Sequence, residues 1–157
     1  MTDDFTSTLP RKRMAAAALL TDDRGRVLLV EPTYKPHFEA PGGSVEADES
    51  PFAAVIRELE EELGLALRPG RLLVVDWVPP RPGRTEGLMM VFDGGFLTPS
   101  QTEQIRLPAD ELHGWAWCTE QEAGERLSAS LARRMSAAVR ARAEGTVAYL
   151  ENGFFVA

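Results

Sequence analysis

Residues 42–65 read GGSVEADESPFAAVIRELEEELGL, and this stretch decides the fold. Within it Gly43, Glu49, Arg57, Glu58, Leu59, Glu61, Glu62, Gly64 and Leu65 stand in one fixed pattern: Gly, five residues, Glu, seven residues, then Arg-Glu-Leu-x-Glu-Glu-x-Gly-Leu. Ser50 and Pro51 predict a helix start, because Ser caps free backbone N–H groups and Pro at the first helical position loses no needed donor. Neither Gly nor a further Pro interrupts residues 51–63, and Gly64 predicts the stop. At 100° per residue, Phe52, Val55, Ile56, Leu59 and Leu63 share one arc. Glu58, Glu61 and Glu62 are spaced at i, i+3 and i+4 and share a neighbouring arc. One face therefore packs while another presents three carboxylates at close range. Like charges at i, i+4 destabilise a helix by about 0.2–0.5 kcal/mol per pair. A solvated acidic face would account for the charge run but not for the spacing of the glycines and the arginine. A site for a hard cation such as Mg²⁺ or Mn²⁺, whose ligands are oxygens, accounts for the carboxylates.

Composition narrows the rest. A chain of 157 residues with 44% hydrophobic and 26% charged residues is ordinary for one globular domain. Its net charge is −7. Residues 43–65 hold seven acids and one Arg, leaving 17 acids against 16 Lys and Arg elsewhere. The acidity is thus local, which argues against broad electrostatic binding of nucleic acid or an anionic membrane. It also means that an anionic substrate needs a cation to approach. A single cysteine, Cys118, excludes an internal disulfide and suits the cytoplasm; it reads as a packed thiol. Residues 11–20 faintly mimic a signal peptide, but their apolar part runs into Thr21-Asp22-Asp23-Arg24-Gly25, so a hairpin with its return strand at residues 27–30 is expected. No stretch has the length needed to span a membrane as a helix.

Along the chain, residues 1–12 are expected to form a flexible N-terminal segment and residues 13–157 one domain. Residues 32–36 read as a loop. Residues 71–78 and 88–97 read as strands, the second with a bulge or turn at Gly94-Gly95. Residues 112–118 form a further strand pattern, Thr119 begins a short helix, and residues 128–143 predict a longer one with Leu131, Met135 and Val139 on its packed stripe. Residues 146–150 offer a last short strand. Strands and helices mix without βαβ regularity, so the fold class is α/β with a mixed sheet between helices.

The pattern over residues 43–65 resembles the box of the Nudix hydrolase family, and the match is complete. The resemblance implies an α/β/α sandwich and hydrolysis of a nucleoside diphosphate linked to another moiety, cut at the pyrophosphate bond with Mg²⁺ or Mn²⁺. It implies that Glu58, Glu61 and Glu62, with the Gly42 carbonyl, are metal ligands or lie beside them. Arg57 would hold a catalytic glutamate by an ion pair, and Glu49 would tie the loop to the helix. The general base differs within the family: some members use the residue matching Glu58, others a later loop Glu. The catalytic candidates are accordingly Glu58, Glu61, Arg57 and Glu111, with Glu103 second to Glu111. The chemistry fits independently, since metal ions neutralise a pyrophosphate and lower the pKa of water, and a carboxylate within reach takes its proton.

Outside the box, Arg81 and Arg84 could clamp a phosphate, and Tyr34 and Phe38 could stack a base. Trp77 and Trp115 fit strand patterns and read as core; His37 and His113 read as surface residues. ADP-ribose or a nucleotide sugar is expected ahead of a nucleoside triphosphate, although Pro80, the clue for ADP-ribose, lies in a stretch with three prolines. The reading of another class is a non-catalytic nucleotide sensor, but such modules tend to lose box acids and this chain keeps them. A homodimer is the expected assembly, if any forms.

Overall fold

The computed structural model describes residues 4–156. Its strands are β1 (Arg13–Thr21), β2 (Val27–Pro32), β3 (Gly42–Ser44), β4 (Leu72–Val78), β5 (Gly87–Phe96), β6 (Leu112–Cys118), β7 (Ala148–Glu151) and β8 (Phe154–Phe155). Its α-helices are α1 (Pro51–Leu63), α2 (Pro99–Glu103), α3 (Glu120–Arg126) and α4 (Ala129–Glu144). The expected flexible segment includes residues 1–3, which lie outside the described residues. A 3₁₀ turn at Phe5–Thr8, capped by the Asp4 side chain, occupies part of the remainder. Among the described residues no helix is long and apolar enough to cross a membrane.

The strands form one sheet in the order β6-β2-β1-β5-β4-β7-β8, with β3 added on β1. It is mixed: β1 runs parallel to β5 and β4 parallel to β7, while the other pairs are antiparallel. The hairpin at Asp22–Gly25 forms as expected. The Asp22 carboxylate accepts from the Arg24 and Arg26 N–H groups at 3.0 and 2.8 Å and closes the turn. On that side β1 pairs with β2 at Thr21 and with β3 through Ala15–Ala17, so the two arms of the hairpin splay. Glu39 bridges Val30 of β2, and the Pro41 carbonyl accepts from the Ala18 N–H of β1, which carries residues 39–44 across the divergence. Residues 42–44 therefore enter α1 from the middle of the sheet. Along β1 and β5 the register slips between Leu19 and Leu20, opposite Asp93 and Gly95, so Gly94 is the extra residue of a bulge.

Helices cover both faces. α1 packs on β1, β3 and β5, and α4 packs on β4, β7, β1 and β5. The alternation of strand side chains splits the core accordingly. Leu20, Leu28 and Val30 meet Val55, Leu59 and Leu63 of α1, whereas Leu19, Leu29 and Leu73 meet Met135 and Ala138 of α4. The result is an α/β/α sandwich. The Ser50 hydroxyl accepts from the Ala53 N–H at 3.0 Å, and Gly64 ends α1 at φ 68°, a conformation costly for residues with a Cβ. Val55, Leu59 and Leu63 of the expected packing arc are buried, Phe52 packs edge-on against Phe92, and Ile56 is half-buried.

Three short elements were not expected: β3, α2 and β8. The first two span three and five residues, too few for a periodicity to register. Leu59 is fully buried beneath the carboxylate face. Leu59→Ala should lower stability by about 2–5 kcal/mol, measured as a shift of the urea midpoint; a loss under about 1 kcal/mol would contradict this packing.

Candidate active site

Arg57 organises the acidic face of α1. Its Nε and Nη2 donate to the two oxygens of Glu49 at 2.8 and 2.9 Å, a bidentate pair. Nη1 donates to Glu58 at 3.0 Å and to Glu61 at 3.2 Å, and Nη2 also donates to the Ser44 carbonyl at 3.0 Å. One guanidinium thus joins β3, the loop carrying Glu49 and two carboxylates of α1. Glu49 closes that loop further by accepting from the Glu46 N–H at 3.1 Å. The hydrogen bonds from Arg57 hold the Glu49 carboxyl down at about 2.

The two glycines before α1 are fixed by space. A Cβ on Gly42, which has φ 150°, would collide with the Ala16 carbonyl and with Ala17. A Cβ on Gly43 would stand 2.5 Å from the Glu58 carboxyl, so that carboxyl lies directly over the Gly43 backbone. Gly42 also donates its N–H to Glu62 Oε1 at 2.6 Å, which orients the most buried acid of α1.

Glu58 and Glu62 resist ionisation. Burial pushes the Glu62 carboxyl up to about 8, opposed by the Gly42 N–H and reinforced by the charges of Glu58, Glu39 and Glu111. Burial likewise raises Glu58, opposed by Arg57 and reinforced by Glu61 and Glu111. Among the described residues no three acidic, His or Cys side chains close into a metal cage. Arg57 and the Gly42 N–H hold some of these oxygens. The donor set nevertheless fits a hard cation: the ligand atoms are oxygens, and the buried Glu62 carboxyl has a backbone N–H but no cation beside it.

These groups line one wall of a cavity of about 520 Å³. Glu39, Glu58, Glu61, Glu62 and Glu111 all reach it. Ala15–Ala17 of β1 and Met89–Val91 of β5 also line it, together with Tyr34, Arg13, Lys35, Arg84 and, from α4, Leu131 and Arg134. Of the candidates outside the box, Glu111, Arg84 and Tyr34 therefore join the site. Glu111 is held there by its loop, where the Thr33 N–H donates to the Glu111 carbonyl at 2.9 Å. Glu103 is exposed at the end of α2 and does not line the cavity. Arg81 is exposed, pairs with Arg84 across a turn and lies outside the lining. Phe38 also lies outside it: the ring packs against the core with the Arg126 guanidinium 5.1 Å from its centre. A loop position alone cannot separate Arg81 from Arg84, or show that a loop aromatic turns inward.

Trp77 is half-buried on β4 and donates to Glu86 at 2.8 Å, and Trp115 packs edge-on against Trp117. His37 and His113 are exposed, and Cys118 is buried with its thiol pushed up by burial. Sequence reasoning missed Glu39, Arg13, Lys35 and Arg134. Glu39 lies three residues before the expected Gly42 ligand, a proximity that could have marked it. Nothing local marks Arg134, which reaches the cavity only through the packing of α4.

Comparison with known proteins places these observations in a family. A family model described as the NUDIX domain matches residues 11–139. Diphosphoinositol polyphosphate phosphohydrolase 2 of Homo sapiens is 36% identical over 76 residues, 48% of this chain and 42% of that protein. The match thus spans less than half the length of this curated relative. Among solved structures, a MutT protein from Methanosarcina mazei Go1 superposes with TM-score 0.68 at 23% identity, over 88% of this chain and 99% of that one. A UDP-X diphosphatase superposes with TM-score 0.72 at 20% identity, over 93% of this chain and 70% of that one. At these identities the structural likeness speaks for the fold.

Because the Glu49 carboxyl is depressed to about 2 from 4.5, its pairing stabilises the fold above about pH 4.5 and is lost as pH falls toward 2. Glu49→Gln should therefore be less stable than wild type at pH 6, and the gap in urea midpoint should narrow steadily below pH 4.5. A gap independent of pH would contradict the Arg57–Glu49 linkage.

Proposed function

The chain belongs to the NUDIX family, and from that premise we propose that it is a metal-dependent hydrolase of phosphorus-containing anhydrides. Its substrate would be a nucleoside diphosphate linked to another moiety, with ADP-ribose or a nucleotide sugar ahead of a nucleoside triphosphate. The observation that carries this reading is the carboxylate group of α1 on one cavity: Glu58 and Glu61 held by Arg57, and the buried Glu62 held by the Gly42 N–H. Glu58, Glu61 and Glu62, with the Gly42 carbonyl, would hold Mg²⁺ or Mn²⁺. A bound divalent ion neutralises the diphosphate and lowers the pKa of water.

The chain's own residues supply position and a proton acceptor. Arg57 holds Glu58 and Glu61 on the cavity side of α1, and the Gly42 N–H aims Glu62. Glu58, Glu61, Glu62 and Glu39 each have such a partner, whereas among the described residues the Glu111 carboxylate has none. We assign to Glu111 removal of the proton from the attacking water. Arg84 and Tyr34, exposed at the cavity mouth, would contact the substrate. Retention of every box acid and of the Arg supports an enzyme over a nucleotide sensor. The locally concentrated charge supports a small anionic substrate brought in by metal over nucleic acid. A cytoplasmic location and a homodimer remain part of the proposal.

Release of phosphate or nucleoside monophosphate from ADP-ribose, nucleotide sugars, dinucleoside polyphosphates and (d)NTPs, with Mg²⁺ or Mn²⁺, tests the reaction. Turnover of at least one compound is expected, with Glu61→Gln and Glu62→Gln slower by about 10³-fold or more and Glu111→Gln by about 10²–10⁴-fold. Wild-type rates in both Glu61→Gln and Glu62→Gln would overturn the metal-ligand assignment; tight binding without turnover of any compound would favour a sensor. Gly43→Ala should fold, because the carboxyl it displaces ends a flexible side chain, yet lose about 10²-fold in kcat through misplacement of Glu58. An unchanged kcat in that variant would show that the place of Glu58 does not matter.

A further inference from the structure

Resting on the anhydride hydrolysis proposed above, we propose that Arg134 determines specificity by binding a second phosphate of the substrate, outside the scissile diphosphate, with Asp76 as its positioning residue. Arg134 lies on α4, the element opposite α1 across the sheet, yet it lines the same cavity as Glu58, Glu61 and Glu62. Its Nε donates to Asp76 Oδ2 at 2.7 Å. Asp76 is a fully buried carboxylate on β4 whose other oxygen accepts from the Gly153 N–H at 3.0 Å. The arginine side chain is only 14% exposed.

Nε is the one side-chain nitrogen of Arg134 with a protein acceptor among the described residues, and no buried side-chain nitrogen there is left without a partner. Both Nη groups therefore reach accessible space, and the residue lines the cavity. The guanidinium is held by one edge while the Nη pair is left free, and that pair matches two oxygens of a phosphate. The other cations of the cavity differ. Arg13 spends Nε and Nη2 on Thr85, Lys35 is paired with Glu39 at 2.6 Å, and Arg84 sits on an exposed loop. Arg134 is thus oriented before any substrate enters, which lowers the ordering cost of binding.

A purely structural pair explains less. Buried ion pairs add little stability over apolar residues of the same size, and such a pair needs no free edge toward a cavity. The sign of the field also fits. Five carboxylates line the cavity, so the acids repel an anion, and the free Nη pair of Arg134 offers it donors that no carboxylate occupies. A substrate anchored there would present its diphosphate to α1.

Two measurements test this. The first follows the Arg134 Nε–H signal by ¹⁵N-edited NMR while metal-free protein is titrated with inorganic phosphate. A saturable shift of that signal is expected, and an unmoved signal would overturn the proposal. The second compares kcat/KM for ADP-ribose and for its 2′-phosphate, which share the scissile diphosphate. Arg134→Lys keeps the charge beside Asp76 but loses the fork, and Asp76→Asn keeps the shape but loses the fixing charge. Each should lower kcat/KM for the phosphorylated compound by about tenfold or more, mostly through KM, and for ADP-ribose by less than about threefold. Equal losses on both compounds would overturn the assignment, and so would no loss on either. If wild type turns over neither compound nor any other anhydride, the hydrolase reading fails while the phosphate titration still decides the role of Arg134.

Discussion

The Arg57 guanidinium is the interaction on which the arrangement of the site depends. Four acids, Glu58, Glu60, Glu61 and Glu62, crowd five consecutive helix positions, 58 to 62, and their mutual repulsion opposes the helix that carries them. Arg57 offsets that repulsion at Glu58 and Glu61, and through Glu49 and the Ser44 carbonyl it fastens β3 and its following loop to α1. The spacing in the sequence follows from this geometry. Glu49 must lie where the loop turns back on Arg57, and Gly43 must be bare where Glu58 lies over it. Gly42 must allow its backbone to approach β1 and donate to Glu62.

The sheet supplies what the helix cannot. Splaying of β1 from β2 admits residues 39–44 between them, and this places the glycines at the centre of the sheet rather than at its rim. β1 and β5 line the cavity, and α4 contributes Arg134 from the opposite layer. Acids and cations thus come from different elements, so the field across the cavity is set by tertiary packing. Two charge systems support it: Arg57 with the carboxylates around it, and the buried Asp76 joining β4, α4 and the β7–β8 turn.

Much of this was legible in the sequence because the chemistry demands particular residue types at particular intervals. α1 could be read from Ser50 to Gly64, since its caps and packed arc are local. The box glutamates stand out for the same reason. β8 was missed although Asn152-Gly153, both at positive φ, form a turn of the kind that joins hairpin strands. Two residues of strand gave no alternation to confirm it. Glu111, which lines the cavity, could be picked as a candidate because it precedes a strand with a recognisable pattern. Arg134 and Asp76 were not paired, because they are 58 positions apart and only the packing of α4 on β4 brings them together. Phe38 and Arg81 show the converse: each has the right chemistry in the right loop, and the fold turns it elsewhere.

The central claim is that the carboxylate face of α1 is a cation site built by Arg57, Gly42 and Gly43. Its most direct test is a titration of substrate-free protein with Mn²⁺ followed by electron paramagnetic resonance of the free ion. Wild type should take up Mn²⁺ saturably, and Glu62→Gln, which removes a ligand, should bind it more weakly by at least about 10–100-fold, the range that loss of even an outer partner of a ligand produces. The absence of saturable uptake by wild type, or equal affinity in the variant, would contradict the account.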